Sequence, residues 1–254
     1  MTPVNKERAL TVLSPLAALA VWQLASDAGL VDQRYVPSPV KIAEAGWALA
    51  VSGELSLHIW ATLRRLAAGF VLGAVPGVLL GIVMGLNRWV RAVLDPLVAA
   101  LYPIPKIAIL PLLMLLFGLG DSSRAAVVAM SVLFLTIINT TVGVMQLDRI
   151  YFDVARNYGT PWHKLFLRVI LPGALPTIFA GLRISLGVSL VVLVSAEFVA
   201  TRSGIGYLIW TSWETLVVEN MFVGIIVITV LGVLATFLLH ELERRLIPWR
   251  HDER

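Results

Sequence analysis

The sequence predicts an all-α, polytopic membrane protein with six transmembrane helices in a single domain. Hydrophobic residues make up 58% of the 254 residues and charged residues only 14%, whereas soluble domains are about half apolar and about a quarter charged. Basic residues flank the apolar runs instead of forming a stripe, so the net charge of +4 indicates membrane orientation and not nucleic-acid binding. The predicted spans cover residues 10–28, 66–86, 97–119, 125–145, 177–200 and 221–239.

The first apolar run, 10–28, is predicted to be a retained helix. A cleaved signal peptide is the alternative, since basic residues precede the run and small residues end it, but the run is long for that class. Ser38 and Pro39 suit the N-cap and first turn of a second helix, predicted at 39–52. Its apolar residues recur along one side, which predicts a helix lying on the outer surface.

The second span carries five glycines at a strict four-residue spacing. Glycine costs about 1 kcal/mol relative to alanine inside a helix, so a repeated ridge needs the close approach of a neighbouring helix or of another subunit. We therefore predict helix packing along this glycine ridge, which comprises Gly69, Gly73, Gly77, Gly81 and Gly85.

The third span contains three prolines. Proline removes a backbone donor and clashes with the preceding turn, so this helix must bend or open where protein or water satisfies the freed carbonyl groups. We predict a broken helix along the translocation pathway, with Pro103, Pro105 and Lys106 in that pathway. Lys106 lies near the bilayer midplane, where a charge is costly. Either it snorkels or pairs with a carboxylate of another subunit, or it contacts an anion in transit.

A narrow polar stripe runs along the fourth span. Hydrogen bonds between helices and a pore lining would both explain this stripe, and we assign Asn139 and Thr140 to the predicted pathway. The fifth span carries a single acidic residue, Glu197, close to its outer end, and we assign it to the pathway as well.

The polar stretch 148–172 is predicted to form two short helices joined by a tight bend. Gly159 can adopt the left-handed conformation that ends the first helix, while Thr160 can cap the next and Pro161 suits its first turn. The first helix is amphipathic, so it presents an apolar plug. The apolar face comprises Ile150, Val154 and Tyr158.

This stretch also carries a family resemblance. Asp153-Val154-Ala155, Gly159 and Val169-Ile170-Leu171-Pro172 follow the spacing E-A-A-x3-G-x9-I-x-L-P and resemble the "EAA" cytoplasmic loop of bacterial ABC-importer permeases. Aspartate replaces the glutamate of that pattern, and valines replace its first alanine and its isoleucine. The proline-rich third span and the segment 202–208 are similar to the nitrate/sulfonate/taurine branch of these permeases.

The resemblance implies a type I ABC-importer permease fold and assigns ATPase coupling to Asp153, Val154, Ala155, Tyr158, Gly159, Leu171 and Pro172. It implies that two ATP-binding cassette subunits, which bind ATP and Mg, dock on the bent loops of two copies of this chain. The chain itself is then expected to bind no cofactor. A periplasmic or lipoprotein solute-binding protein would deliver a small anionic solute of the sulfonate, taurine or nitrate class. A neutral pyrimidine-type vitamin precursor is the alternative solute.

The flanking charges predict the orientation. With both termini in the cytoplasm, the cytoplasmic segments carry more basic residues than the outer ones, as expected for a bacterial cytoplasmic (inner) membrane protein. No nucleotide-binding P-loop, H-E-x-x-H or G-x-S-x-G pattern occurs, so we predict no catalytic or metal site and no enzyme activity. A secondary carrier and an intramembrane enzyme are the alternatives. A carrier would show related halves with buried acids, and an enzyme a polar constellation at one depth.

Overall fold

The computed structural model describes residues 3–249, with side chains from residue 13 onward, and this part of the chain is helical without a strand. A 3-10 helix, Lys106–Ile109, precedes α5, and a π-helix, Phe166–Ile170, joins α8 to α9. The α-helices are α1 (Pro3–Asp27), α2 (Pro39–Val51), α3 (Glu54–Leu86), α4 (Arg88–Leu101), α5 (Leu110–Phe117), α6 (Asp121–Met145), α7 (Arg149–Asn157), α8 (Trp162–Leu165), α9 (Leu171–Glu197), α10 (Ile205–Glu214) and α11 (Val218–Leu246).

Several described helices are long and apolar enough to cross a membrane. These are α3, α6, the continuous helix Trp162–Glu197 and α11, and the bent pair formed by α4 and Lys106–Phe117 makes a fifth if the two segments cross as one broken span. The polytopic all-α class is therefore confirmed. The first predicted span, 10–28, falls on α1, whose side chains up to residue 12 lie outside the described part, so that span stays a prediction.

Helix α3 begins well before the predicted span. It starts at Glu54 and not at residue 66. The prediction placed its start too late because the first turns are polar and lower the hydropathy of that stretch. Arg65 nevertheless lies inside the protein, with only 4% of its area exposed, where carboxylates compensate its charge. A hydropathy pattern cannot distinguish a charge in water from a charge in a buried ion pair.

Helix α6 lies at the centre, between α3 and α9. A Cβ placed on any residue of the glycine ridge would come within 3.0 Å of an α6 atom, so the two helices are in close contact along residues 69–85 of α3. Gly69 faces Val128 and Gly85 faces Val144, and the two helices therefore run parallel. The partner of the ridge is thus a helix of the same chain, which the spacing of the glycines did not identify.

The bundle has two ends. The bend end holds the start of α4, the end of α6 and residues 146–172, and the far end holds the start of α3, α10 and residues 117–121. Helix α2 lies at the far end, where Ile42 and Leu49 pack with Leu208 and Val223. The Ser38 hydroxyl accepts the Lys41 amide, as expected for an N-cap.

Candidate functional site

The bend after α7 is fixed by backbone hydrogen bonds. Gly159 has a φ of +61°, its amide donates to the carbonyl of Arg156 at 3.1 Å, and the Thr160 amide donates to the carbonyl of Ala155 at 2.8 Å. This pair of bonds is the Schellman arrangement that ends helices at a left-handed residue. Gly159 therefore adopts the predicted left-handed conformation and ends α7.

The next helix begins differently from the prediction. Helix α8 starts at Trp162, and Pro161 occupies the N-cap position without a side-chain hydrogen bond. Thr160 does not cap it, because the N-cap position falls one residue later, at Pro161. From α8 the chain continues through the π-helix into α9 without a loop, so the bend is attached directly to a long helix.

The bend has a packed side and an open side. On the packed side, Ala155 and Leu165 belong to a buried cluster that includes Ile82 of α3 and Val144 of α6. The open side forms a surface groove of about 820 Å³, whose apolar members include Tyr158, 85% exposed. Exposed apolar side chains of this kind, attached to a rigid bend, are typical of a docking surface. The open side also comprises Ile150, Tyr151 and Val154.

The other residues predicted for ATPase coupling lie around this surface. Asp153 is exposed and makes no ion pair within the described residues. Leu171 and Pro172 are half-buried at the beginning of α9, where they connect the bend to the bundle. Ala155 is buried, so within this motif it anchors the bend and the exposed residues remain available to a partner.

Lys106 lies at the break in the third span. The chain bends by 87° between α4 and the segment that starts at Lys106. The Lys106 ammonium donates to the carbonyl oxygens of Leu101, Tyr102 and Ile104 at 3.0, 2.7 and 2.8 Å. It also lies 4.9 Å from the ring centre of Phe134.

These contacts use all three hydrogens of the ammonium group. Lys106 therefore binds carbonyl groups that the break around Pro103 and Pro105 leaves without helical partners. This compensation within the chain differs from both roles that the sequence suggested. The place of Lys106, Pro103 and Pro105 in a pathway stays a prediction.

The polar stripe of α6 lies between helices of the chain. Asn139 packs against the position of Gly181, and its side-chain amide donates to the carbonyl of Leu135 at 2.8 Å. Thr140 is completely buried against Gly81. The stripe thus packs helices together in this structure, and the predicted pathway role of Asn139 and Thr140 is not tested by it.

Glu197 is the centre of a buried polar network at the far end. Its carboxylate accepts the Arg65 guanidinium at 2.7 Å, the Thr62 hydroxyl at 3.0 Å and the backbone amide of Gly206 at 2.9 Å. A Cβ on Gly206 would lie 2.7 Å from the Cβ of Glu197, so glycine is needed there. The network joins α3, α9 and α10, and a pathway role for Glu197 stays a prediction.

The sequence analysis did not identify two buried arginines at this end of the bundle, Arg65 and Arg124. Arg65 also donates to Asp121 at 2.6 Å. Arg124, 1% exposed, donates to the carbonyls of Leu119 and Val199, both at 2.6 Å, and so joins the start of α6 to the end of α9. Arginines at the start of an apolar run are ordinarily assigned to water, and no local pattern identifies partners so distant in the chain.

Comparison with known proteins agrees with this geometry. Residues 77–248 match the family of the binding-protein-dependent transport system inner membrane component. Among the similar proteins is one provisionally named aliphatic sulfonates transport permease SsuC from Escherichia coli K12, 40% identical over 98% of this chain and 95% of that protein. The taurine transport system permease protein TauC from the same strain is 31% identical over 99% of this chain and 93% of that protein.

A solved structure shares the fold. A chain of the MetNI methionine ABC transporter, in inward-facing conformations, superimposes with a TM-score of 0.65 and covers 76% of this chain and 95% of its own length, at 16% identity. In the described part of this chain, no group of three or more potential metal-binding side chains occurs. The chain therefore belongs to the family of inner membrane components of binding-protein-dependent transport systems, as a multi-pass permease of an ABC importer.

Proposed function

We propose that this chain is the permease of an ATP-driven importer for a small anionic solute of the sulfonate, taurine or nitrate class. Two copies form the pathway in a bacterial cytoplasmic membrane, with both termini in the cytoplasm. A periplasmic or lipoprotein binding protein delivers the solute at the far end. The names of the similar proteins, which refer to aliphatic sulfonates and taurine, support this class of solute.

The open side of the bend carries the proposal. Two ATP-binding cassette subunits, which hold ATP and Mg, dock on the open side of the two bends. An exposed apolar face costs free energy in water, and it lies here on a bend fixed by hydrogen bonds and packed on α3 and α6. Closure of the ATPase dimer therefore moves the membrane helices through this bend, while hydrolysis resets them.

The pathway is proposed to pass the break in the third span. A broken helix is tolerated at membrane depth where protein or water covers it, and the residues near the break are largely exposed in the single chain. A second copy placed against this side encloses the break between the two chains. The pathway set of Pro103, Pro105, Lys106, Asn139, Thr140 and Glu197 remains a proposal of this kind.

Co-purification of the ATPase subunit tests the docking surface. Val154→Asp puts a charge on the open side of the bend, and we expect about a tenfold or larger loss of ATPase binding, as for a residue at the centre of an interface. Gly159→Val forces a β-branched residue to a φ of +61° and should abolish solute-stimulated ATP hydrolysis. Arg156→Gln makes the same change of one charge unit at an exposed position on the opposite side of α7 and is the control. Parental ATPase binding and stimulation in Val154→Asp would contradict the assignment.

The solute class needs a separate experiment. Proteoliposomes that contain the complete importer, supplied with its binding protein, are tested for uptake of ethanesulfonate, taurine, nitrate and a neutral pyrimidine. We expect ATP-dependent uptake of at least one anion. Uptake of the neutral compound alone would contradict the proposed solute class without affecting the permease assignment.

A further inference from the structure

A groove between α9 and α11 has a cation at one end. It measures about 570 Å³, and Arg183 contributes to it from α9. The α11 residues that line it recur at intervals of three and four, so they form one straight stripe along that helix. The stripe comprises Thr229, Gly232, Val233, Thr236, Phe237 and His240.

The contacts of Arg183 show at which depth in the membrane its guanidinium lies. Its Nη2 donates to the carboxylate of Glu243 and to Nδ1 of His240, the latter at 3.2 Å. His240 directly follows Leu239, where the long apolar run of α11 ends. The guanidinium therefore lies at the level where the hydrocarbon region ends and headgroups begin, although the backbone of Arg183 lies deeper.

The length of the groove corresponds to one leaflet. From Thr229 to His240, an α-helix rises about 16 Å at 1.5 Å per residue. The hydrocarbon core of a bilayer is about 30 Å thick, so one leaflet contributes about 15 Å. The stripe thus extends from headgroup level to approximately the bilayer centre.

The wall of the groove is apolar. The hydroxyls of Thr229 and Thr236 each donate to a backbone carbonyl one turn earlier at 2.8 Å, which leaves their methyl groups at the surface. Val233 and Phe237 are 65% and 62% exposed, and Gly232 leaves room between them. Such a wall suits a hydrocarbon chain and provides no hydrogen bonds for a small polar solute.

Arg183 retains hydrogen-bonding capacity. Within the described residues its hydrogen bonds both use Nη2, so Nε and Nη1 have N–H groups without partners, and 43% of its side chain is exposed. A guanidinium can bind a carboxylate on one edge and a phosphate on another. The mouth of the groove thus provides a cation with donors for an oxyanion, above a wall that fits hydrocarbon.

We propose that this groove binds a phospholipid of the leaflet at the bend end. Arg183 binds the phosphate diester, and one acyl chain lies along the α11 stripe. The site is independent of the transported solute. A phospholipid fits both parts of the groove, because its phosphate matches Arg183 and its acyl chain matches the apolar stripe. A small solute would fit only the part around Arg183.

Native mass spectrometry of the purified, delipidated full-length chain during titration with phosphatidylglycerol tests the site. Arg183→Gln should bind the lipid about tenfold more weakly, as expected for the loss of a charge-assisted hydrogen bond. Val233→Trp fills the groove, leaves the Arg183–Glu243 pair intact and should also lose lipid. Val230→Trp changes a residue that is 50% exposed outside the groove and should bind like the parent.

Soluble compounds separate the possible occupants. Glycerophosphoglycerol, the headgroup without acyl chains, and ethanesulfonate should not displace the lipid at equimolar concentration. Displacement by either would overturn the lipid site in favour of a solute site. Parental lipid affinity in Val233→Trp would also overturn the lipid site. If the same variant dissociates a dimer of the chain while lipid binding is unchanged, the groove is instead a contact between two copies. If Arg183→Gln does not purify, Val233→Trp alone decides.

Discussion

At the scale of single residues, Lys106 shows how the chain tolerates a charge inside a broken span. Three carbonyl groups beside the break accept hydrogen bonds from one ammonium group, so charge and break compensate each other. A hydrogen bond to a charged group contributes about 1.5–3 kcal/mol, and less where water can replace it, as it can at these exposed carbonyl groups. Removal of the ammonium therefore affects the folded protein before it affects any solute.

We predict that Lys106→Met lowers the free energy of unfolding of the purified permease by about 1–3 kcal/mol. Lys106→Arg keeps the charge and should lose less. Melting followed by size-exclusion chromatography measures the change, and Lys41→Met, at an exposed position of α2, is the control. A Lys106→Met protein with parental stability but slower anion uptake would instead favour contact with the solute.

Glu197 provides a second test at this scale. Glu197→Gln keeps the shape of the side chain but leaves Arg65 without one of its buried charge partners, and we expect a loss of about 3–5 kcal/mol in the free energy of unfolding. Glu214→Gln, which changes an exposed acid of α10 bonded to Trp210, should cost little. Equal stability of the two variants would contradict the structural role of the network.

Local sequence signals located some of these residues and not their partners. Gly159 was recognised because a left-handed position follows from the residue type itself, and Lys106 because a charge in an apolar run is conspicuous. The contacts of Glu197 with Arg65 and Thr62 join residues more than a hundred positions apart, and only the fold brings them together. The alignment of three helices determines this site, and no spacing within one helix encodes it.

At the scale of elements, the glycine ridge of α3 makes a specific prediction. A Cβ on Gly77 would lie 2.8 Å from the Cβ of Thr136, so Gly77→Leu must separate α3 from α6. We expect this variant to lose the folded permease during purification, with a cost of several kcal/mol from overpacking. Leu79→Ile, at a position that is 60% exposed, should purify like the parent. Recovery of a normal Gly77→Leu protein would show that the two helices are not closely packed.

At the scale of the whole molecule, the prediction of orientation can be tested directly. The chain has no cysteine, so single cysteines can be introduced without background. In spheroplasts, a membrane-impermeant maleimide should label Leu30→Cys, at the far end, while His163→Cys, after the bend, should react only after lysis. Labelling in the reverse order would contradict the assignment of the bend to the cytoplasm.

The all-α membrane architecture was predictable because long apolar runs mark helices that can cross a membrane. The apolar helices from α3 onward and the bent segment after α6 follow from the pattern of apolar runs and turn residues, while the place of 39–52 on the membrane surface stays a prediction. The early start of α3 and the continuity of α8 with α9 did not, since both depend on partners elsewhere in the fold. For the same reason, the sequence could not identify α6 as the helix that packs against the glycine ridge.

The continuity of α8 with α9 makes the two ends of the molecule parts of one object. From Trp162 to Glu197 the chain forms 36 consecutive helical residues, about 54 Å at 1.5 Å per residue. One end of this helix carries the bend that we propose as the docking site of the ATPase, and the other end carries the carboxylate of Glu197 that binds Arg65. The π-helix at Phe166–Ile170 and the proline at position 176 are irregular points along this helix, and neither interrupts it. A tilt imposed at the bend therefore reaches the opposite face of the membrane as a lever movement, without a loop in between to absorb it.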